Sequence, residues 1–490
     1  MEQQVTEGQA AAVHGPLDLQ TFAEQVVSAT RERVFIRPQD GLMIVRPANM
    51  HHLNPMAALM LDQLYGREGG PDVAAVVDHV VRTYGADPAK VREDLVTLLQ
   101  GLVSVLDNRV MDIPGVKLTP FGSHKRTLPV LSEIALTYRC NNRCTFCYAN
   151  APLRGAGMPE MSTAEVCTII DRIADEAHCP TLSFTGGEPT LREDLAELVR
   201  YASGKGLKVN LITNGVRCGE AAYARQLAEA GLASAQVSLE GGSAAVHDAI
   251  TLHPGSFDAA VNAVRNLRAL GVHVHTNTTL CGGNRAHWRE LVDFLAGELE
   301  SPYFSMNMVI RTGTALAHAE DDMSYAEVGP LIEQNQSYSR ERGIEFVWYS
   351  PVPYCMFNPV QAGLGSKSCA CVDGLISVNP AGELLPCSSF ERGIGNLLKD
   401  DFETVWNSRA AHYWRNKEFT PPVCAQCEIR HICCGACPLY WDQRGGFCEL
   451  EGLAPGASRW AVGVWRARKA LFSGTYGVGL GPRKQKGKAS

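Results

Sequence analysis

The stretch Cys140-Asn-Asn-Arg-Cys144-Thr-Phe-Cys147 places three cysteines at spacings of four and three residues. It follows residues 131–137, an apolar run that predicts a β-strand, so the cysteines fall on a loop at the end of that strand. Three thiolates can bind three irons of a four-iron cluster, which takes four such ligands. The fourth iron is then open to another molecule. The alternatives are a zinc site, although zinc favours paired cysteines that supply four ligands, or three unrelated thiols.

Composition sets limits on the class of protein. The chain has 490 residues, of which 45% are hydrophobic and 20% charged, and a net charge of −7. These values indicate a soluble globular protein of two to four domains, at roughly 150 residues per domain. Only the tail 482–488 is basic, so nothing indicates nucleic-acid binding. Residues 1–15 lack the apolar core of a signal peptide, and no apolar run reaches about 18 residues.

We therefore expect a cytoplasmic protein without membrane or nucleic-acid partners. The cytosol keeps thiols reduced, so the 17 cysteines favour metal binding or catalysis over disulfides.

The first predicted domain spans residues 31–110, after an N-terminal tail of residues 1–30. The apolar runs 34–36 and 42–45 flank the turn signal Pro38-Gln-Asp-Gly41, which predicts a β-hairpin. Three amphipathic helices follow, and proline suits a first helical position because its missing N–H would be unpaired there. Their expected first residues are Pro55, Pro71 and Pro88. Two strands and three helices describe a winged-helix-like domain, and plain packing without a ligand is the alternative to a binding role.

The second predicted domain, residues 128–345, alternates short β-rich runs with helical patterns. This alternation is typical of βα units and a parallel sheet. The expected strands are 131–137, 181–184, 207–213, 234–239, 272–279 and 303–309. In barrels of such units the chemistry lies at the carboxyl ends of the strands, where the cysteine loop also falls.

The third predicted domain, residues 346–452, is rich in cysteine, because ten of the 17 cysteines lie between Cys355 and Cys448. This density indicates an extension that binds further clusters. Residues 453–490 are expected to form a C-terminal helix and a basic tail.

The CxxxCxxC spacing, with the aromatic Phe146 before the last cysteine, resembles the radical SAM family. The resemblance implies an α/β fold with a partial (β/α)6, TIM-like barrel, and S-adenosylmethionine (SAM) bound to the open iron. It further implies reductive cleavage of SAM to a 5′-deoxyadenosyl radical, with the electron from an external flavodoxin- or ferredoxin-type reductant. The residues that hold the cluster, Cys140, Cys144 and Cys147, are the catalytic candidates.

Three further motifs match turns that contact SAM in this family. They are Gly186-Gly187-Glu188-Pro189, then Thr213-Asn214-Gly215, then Ser238-Leu239-Glu240-Gly241. Glycines let a backbone approach a ligand closely. Glu240 replaces the usual aspartate of its motif, which makes Ser238 the stronger match. Asn214 has an alternative explanation, because asparagine also suits a left-handed turn.

The later cysteines resemble the SPASM domain, which holds two auxiliary 4Fe-4S clusters. The match assigns four cysteines to the outer cluster, namely Cys424, Cys427, Cys433 and Cys448. It assigns Cys371, Cys387 and Cys437 to the inner cluster. Cys369 and Cys355 are both open as the fourth inner ligand, and we favour Cys369. Cys434 could replace Cys433 only by breaking the motif spacing. Only ten residues separate Cys437 from Cys448, which makes Cys448 the weakest match among the outer ligands.

Residues 31–106, including Leu53-Asn54-Pro55, resemble the PqqD-like peptide-recognition domain. A recognition domain, a radical SAM barrel and a SPASM extension together resemble sactipeptide synthases and the maturation protein of quinohemoprotein amine dehydrogenase. The implied substrate is a ribosomally made peptide or small protein whose leader adds as a strand to the small domain. The implied reaction is an intrapeptide thioether crosslink between cysteine and an unactivated carbon.

Rival functions are open at this point. Within the same class they are carbon–carbon crosslinking or oxidative decarboxylation of a peptide, as in PqqE-like and mycofactocin enzymes. Another class is tetrapyrrole side-chain chemistry, which would not need a peptide-recognition domain. A non-catalytic electron carrier would need neither an open iron nor the turn at Gly186.

Overall fold

The computed structural model describes residues 18–45, 49–67, 69–106, 116–118, 128–155, 157–450 and 458–476. The chain divides into two compact units, Met1–Pro120 and Phe121–Ser490. Each unit has its own hydrophobic core. Among the described residues, no helix is both long enough and apolar enough to cross a membrane.

The N-terminal unit combines four helices with an antiparallel sheet of order β1-β2-β3-β4. Its strands are β1 (Val34–Arg37), β2 (Leu42–Val45), β3 (Asn49–Leu53) and β4 (Val116–Leu118). Its helices are α1 (Leu19–Thr30), α2 (Pro55–Tyr65), α3 (Val73–Tyr84) and α4 (Pro88–Leu106).

The predicted hairpin and two of the three predicted helix starts are confirmed. A 3₁₀ turn at Pro38–Asp40 joins β1 to β2, and Gly41 after it has a φ of 62°. Helix α2 begins at Pro55, where the Asn54 side chain accepts a hydrogen bond from the Ala57 N–H at 2.8 Å. Helix α4 begins at Pro88.

Three expectations for this unit are wrong. Helix α3 begins at Val73 instead of Pro71, because Asp72 takes the extended N-cap position and accepts from the Ala75 N–H at 2.9 Å. Two strands, β3 and β4, extend the predicted pair. Residues 19–30 of the expected tail form α1, whose residues Ala23 and Val27 are buried in the core. Residues 1–17 of that tail lie outside the described residues.

The C-terminal unit is built on a sheet of order β11-β10-β9-β8-β7-β6-β5-β12-β13-β14. Every pair of neighbouring strands from β11 through β5 to β12 is parallel. The pairs β12–β13 and β13–β14 are antiparallel. The strands are β5 (Leu131–Thr137), β6 (Thr181–Gly186), β7 (Lys208–Thr213), β8 (Ser234–Ser238), β9 (His273–Leu280), β10 (Tyr303–Met308), β11 (Glu345–Trp348), β12 (Leu375–Val378), β13 (Glu383–Leu385) and β14 (Gly395–Asn396).

Helices connect the parallel strands, as βα units require. Those up to β11 are α5 (Ala151–Arg154), α6 (Thr163–Asp171), α7 (Leu195–Gly204), α8 (Ala221–Glu229), α9 (Ala244–Thr251), α10 (Ser256–Ala269), α11 (Trp288–Gly297) and α12 (Tyr325–Glu341). The later ones are α13 (Phe402–Trp406), α14 (Arg409–Arg415), α15 (Arg430–Cys433), α16 (Pro438–Arg444) and α17 (Arg459–Tyr476). The C-terminal helix expected after residue 453 is α17, and the basic tail lies outside the described residues.

The predicted α/β fold with a partial barrel is confirmed. All six expected strands are present, and the four-residue strand β11 adds a seventh that the sequence did not predict. Side chains at alternate positions, such as Phe184, Leu211 and Val237, are buried in the core. Most positions between them are polar, apart from residues such as Ala135 and Ile212. Several of the polar side chains bond from strand to strand; Asn210 Nδ2, for example, donates to Ser183 Oγ at 3.1 Å. The sheet thus has one polar face.

Candidate active site

The cysteine loop leaves the end of β5 and is held by the end of helix α9 and by the 3₁₀ turn Gly313–Leu316. The Arg143 and Thr145 N–H groups donate to Thr251 O and Ile250 O, at 2.9 and 3.1 Å. Thr314, after β10, donates through Oγ1 to Cys144 O at 2.9 Å. Its N–H donates to Cys147 O at 3.0 Å. These bonds fix the loop at the carboxyl ends of the parallel strands, where the sequence predicted the chemistry.

The three thiols lie in an environment that keeps them protonated without a metal. Burial, followed by the charge of Glu188, raises the pKa of Cys140 to about 12. Burial also raises the pKa of Cys144 and Cys147, and the Cys147 charge adds to the effect at Cys144. Thiolates form when a bound metal supplies positive charge. The donor set of three partly buried thiols on one short loop therefore fits an iron cluster.

The Gly186-Gly187 turn contacts the start of the cysteine loop. Gly186 has a φ of 141°, and a Cβ atom on it would lie 2.1 Å from Thr137 O. A Cβ atom on Gly187 would lie 2.3 Å from Arg139 O. The Gly187 N–H donates to Thr137 O at 2.7 Å. The close approach predicted from these glycines is present, but the partner is the backbone of the cysteine loop, so the turn sets where that loop leaves β5.

Glu188 is fully buried, and protein donors satisfy its carboxylate. Oε1 accepts from the Thr190 hydroxyl at 2.6 Å and from the Thr213 hydroxyl at 2.8 Å. Oε2 accepts from the Asn214 N–H at 2.8 Å. Pro189 opens the 3₁₀ turn that carries Thr190. Glu188 thus joins the turn after β6 to the turn after β7, which makes its carboxylate a positioning group.

Asn214 reaches the cysteine loop with its side chain. Its Nδ2 donates to Asn141 Oδ1 at 2.6 Å and lies 3.8 Å from Cys140 Sγ. The left-handed residue of this turn is the next one, Gly215, with a φ of 80°. The turn explanation therefore does not account for Asn214, and its amide orients the first cysteine of the loop.

Ser238 and Glu240 lie at the end of β8. Ser238 is half-buried, and Glu240 is buried. Burial raises the pKa of the Glu240 carboxyl to about 8, although Oε2 accepts from the Thr279 N–H at 2.8 Å. The Glu240 N–H donates to Nδ1 of the buried His247 at 2.9 Å. The charge of Glu240 also contributes to the raised pKa of Cys144, so this carboxyl and the cysteine loop share one region.

Sequence reasoning missed Glu133, which lies in the middle of β5. Its carboxylate accepts from Ser377 Oγ on β12 at 2.6 Å, and burial raises its pKa. Ser183 on β6 is its strand partner, so Glu133 belongs to the row of polar positions described above. A glutamate inside an otherwise apolar strand, Leu-Ser-Glu-Ile-Ala-Leu-Thr, was the signal that could have identified it.

The cysteines assigned to the inner auxiliary cluster lie together. Cys369 Sγ and Cys371 Sγ are 3.3 Å apart, and the Cys371 thiol also interacts with that of Cys387. Burial, then the charges of Cys369 and Cys387, raise the pKa of Cys437. Cys434 is a further buried thiol at this site, and its Sγ accepts from the Cys369 N–H at 3.4 Å.

A second group of thiols contains Cys424, Cys427 and Cys433. Burial, followed by the charges of Cys433, Cys355 and Cys427, raises the pKa of Cys424 to about 12. Cys448 is exposed on the 3₁₀ turn Cys448–Leu450. In the described parts of the chain, no three His, Cys, Asp or Glu side chains converge as ligands of a single metal ion would. A four-iron cluster binds its thiolates at separate irons and does not require such convergence.

Comparison with known families agrees with this arrangement. Residues 134–295 match the radical SAM superfamily, and residues 369–428 match SPASM, the iron-sulfur cluster-binding domain. Residues 41–105 match PqqD, coenzyme PQQ synthesis protein D. The first two of these domains imply 4Fe-4S clusters, auxiliary ones included, together with SAM.

Curated relatives match over about two thirds of the chain. The AdoMet-dependent heme synthase of Oleidesulfovibrio alaskensis is 27% identical over 340 residues, which cover 65% of this chain and 85% of that protein. The PqqA peptide cyclase of Rhizobium meliloti is 29% identical and covers 68% of this chain and 86% of the relative.

Solved structures share the fold. Streptococcus suis SuiB bound to precursor peptide SuiA has a TM-score of 0.63 at 15% identity, over 87% of this chain and 98% of SuiB. Native anSMEcpe with bound AdoMet and Cp18Cys peptide has a TM-score of 0.50 at 17% identity, over 71% of this chain and 97% of that chain. The chain therefore combines a PqqD domain, a radical SAM domain and a SPASM domain, in that order.

Proposed function

We propose that this enzyme modifies a ribosomally made peptide or small protein with a leader segment, and that it forms a thioether between a cysteine and an unactivated carbon. The observation that carries the proposal is the presence of PqqD, radical SAM and SPASM domains in one chain. The relatives and neighbours support a peptide substrate, since they include a PqqA peptide cyclase and SuiB with its precursor peptide.

In this proposal the enzyme is cytoplasmic and receives electrons from a flavodoxin- or ferredoxin-type protein. Recognition is assigned to residues 19–120, which extends the predicted domain to include α1 and β4. The radical SAM barrel spans 128–345, and the auxiliary clusters belong to 346–452. A leader would add to an edge of the small sheet, which is β1 or β4.

The cysteine loop would hold the SAM-binding cluster through Cys140, Cys144 and Cys147. When bound, SAM and this cluster supply the radical that takes hydrogen from an unactivated C–H bond. Groups at the strand ends would contact or orient SAM. They are Phe146, Gly186, Gly187, Glu188, Pro189, Thr213, Asn214, Ser238 and Glu240. For Glu188 the contact would come from its backbone, because its carboxylate is satisfied within the protein.

The proposed reaction balances in atoms and electrons. The peptide loses one C–H and one S–H bond and gains a C–S bond. The hydrogen leaves on 5′-deoxyadenosine, the thiol proton goes to solvent, and one electron passes to an auxiliary cluster. In this proposal the inner thiols Cys369, Cys371, Cys387 and Cys437 would supply all four ligands of a cluster, so the substrate cysteine would need no iron of its own there.

Carbon–carbon crosslinking is the second candidate, because a PqqA peptide cyclase is among the relatives. The test is to incubate the reconstituted enzyme, SAM and a reductant with candidate precursor peptides that contain cysteine. We expect the peptide to lose two hydrogens and its cysteine to become inert to iodoacetamide. A product that loses two hydrogens but is still alkylated would identify a carbon–carbon crosslink instead. If no peptide is modified and a tetrapyrrole is, the proposal is wrong.

A further inference from the structure

The outer group of thiols brings three cysteines together at a tight turn and a short helix. The Cys427 N–H donates to Cys424 O at 3.0 Å, and Cys433 ends α15. A four-iron cluster that is closed by protein takes a fourth thiolate. The match to the SPASM domain ends at residue 428 and does not extend to the later cysteines.

The segment before Cys355 lies against Cys433. The Tyr354 N–H donates to Cys433 Sγ at 3.3 Å, and the same sulfur lies 4.0 Å from Val352 O. Cys355 is the next residue in the chain. Its side chain is exposed at this point of the chain, next to the segment that contacts Cys433.

This segment is fixed on both sides of Cys355. The Met356 and Phe357 N–H groups donate to Pro353 O at 2.9 and 3.0 Å, which closes a turn around the cysteine. The Tyr354 hydroxyl lies 3.0 Å from Ser366 Oγ and accepts from the Lys367 N–H at 2.8 Å. Phe357 is buried in the core. A thiol on such a turn is preorganised for ligation, because little backbone freedom is lost on binding.

Cys448 lies in different surroundings. Its 3₁₀ turn is held by Leu450, which is 1% exposed, and by Glu449, which accepts from the Ala326 N–H at the start of α12 at 3.3 Å. Glu449 also accepts from the Tyr440 hydroxyl of α16. Cys355 and Cys448 are both exposed, so exposure does not distinguish them. They differ in their neighbours, because the residue before Cys355 contacts Cys433, whereas the residue after Cys448 contacts α12 and α16.

We propose that Cys355 is the fourth ligand of the outer auxiliary cluster, with Cys424, Cys427 and Cys433, and that Cys448 is a free surface thiol. The spacing motif assigned that place to Cys448. Cys355 follows β11, the last strand of the predicted barrel domain, so the outer cluster would join the end of that domain to the cysteine-rich extension. The assignment is independent of the peptide substrate.

The test uses full-length Cys355→Ala and Cys448→Ala proteins in which Cys140, Cys144 and Cys147 are also alanine. After anaerobic reconstitution, iron and sulfide analysis of the parent should give about eight irons, for two auxiliary clusters. We expect Cys448→Ala to keep about eight and Cys355→Ala to fall to about four. Full iron content in Cys355→Ala, or loss of iron in Cys448→Ala, would overturn the assignment.

Thiol labelling of the wild-type holoenzyme checks the result without any substitution that could affect folding. Maleimide should label Cys448 before the clusters are removed, and Cys355 only after chelation, as read from mass spectra of the digested peptides. A Cys448 that is protected in the holoenzyme, or a Cys355 that is labelled there, would contradict the proposal.

Discussion

Replacing Glu188 by glutamine should loosen the link between the turn after β6 and the turn after β7. The carboxylate accepts from Thr190 and Thr213 through Oε1 and from the Asn214 N–H through Oε2. An amide offers one acceptor oxygen and one NH₂ donor in place of two acceptors. The hydroxyls can rotate to suit either group, but the backbone N–H groups of Thr190 and Asn214 cannot, and they donate to Oε1 and Oε2. The NH₂ group of glutamine therefore faces one of these two N–H groups and leaves it unpaired.

The expected cost follows from the burial of this site. A hydrogen bond to a charged group contributes about 1.5–3 kcal/mol, and a buried donor left unpaired costs about as much. We take about 2 kcal/mol, which corresponds to roughly 30-fold in the opening equilibrium of the turn at 1.4 kcal/mol per factor of ten. Hydrogen exchange measured by mass spectrometry on the apoprotein should therefore show the Thr190 or the Asn214 amide exchanging roughly 30-fold faster in Glu188→Gln.

Glu193→Gln is the matched control, because it makes the same chemical change on a neighbouring residue. The Glu193 side chain is 86% exposed and pairs with Arg217 at 3.3 Å. An exposed ion pair contributes about 0–1 kcal/mol. Exchange at Thr190 and Asn214 should be unchanged in this control. Equal exchange in the wild type and Glu188→Gln would refute the positioning role of Glu188.

Three further predictions concern pH, the glycine turn and the small unit. Burial lowers the pKa of His247 to about 4, whereas the pKa of a histidine in the unfolded chain is about 6.5. The free energy of unfolding is therefore undiminished above about pH 6.5 and falls by up to about 3 kcal/mol as the pH drops to 4, because the unfolded chain then binds a proton that the folded chain does not. Urea titrations at pH 7 and pH 5 should show this loss, and His247→Asn should reduce it. Gly186→Ala should destabilise the enzyme by about 3 kcal/mol or more in urea, since its Cβ would lie 2.1 Å from Thr137 O. Gly204→Ala, in open space on α7, should be neutral or stabilising, and equal loss in both variants would contradict the packing explanation. A fragment of residues 1–120 should bind the leader peptide in calorimetry, whereas 31–106 should bind more weakly because it lacks α1 and β4. A fragment of residues 1–120 that does not bind a leader bound by the full enzyme would remove the recognition role.

The sequence predicted the elements whose signals are local. Strand β5 and the cysteine loop could be identified because an apolar run and a fixed cysteine spacing are readable within a few residues. The N-cap of α2 at Asn54 was predictable for the same reason. Strand β4 has three residues, and it forms by pairing with β3 at His51, far away in the chain, so no local pattern marks it.

Contacts between distant residues explain what the sequence left open in the site. The bond from Thr213 to Glu188 spans 25 residues, and the one from Asn214 to Asn141 spans 73. The same holds for Cys355, whose neighbour Tyr354 meets Cys433 across 79 residues. The motif spacing along the chain favoured Cys448 for the outer cluster, whereas tertiary packing brings the residue before Cys355 into contact with Cys433.

Formation of 5′-deoxyadenosine is the most direct test that Cys140, Cys144 and Cys147 hold a cluster that cleaves SAM. The reconstituted wild-type enzyme should form it from SAM under dithionite. The variant with all three residues changed to alanine should form none while it keeps the iron of its two auxiliary clusters, about eight atoms per chain. Undiminished 5′-deoxyadenosine from that variant would contradict the assignment of the active site to this loop.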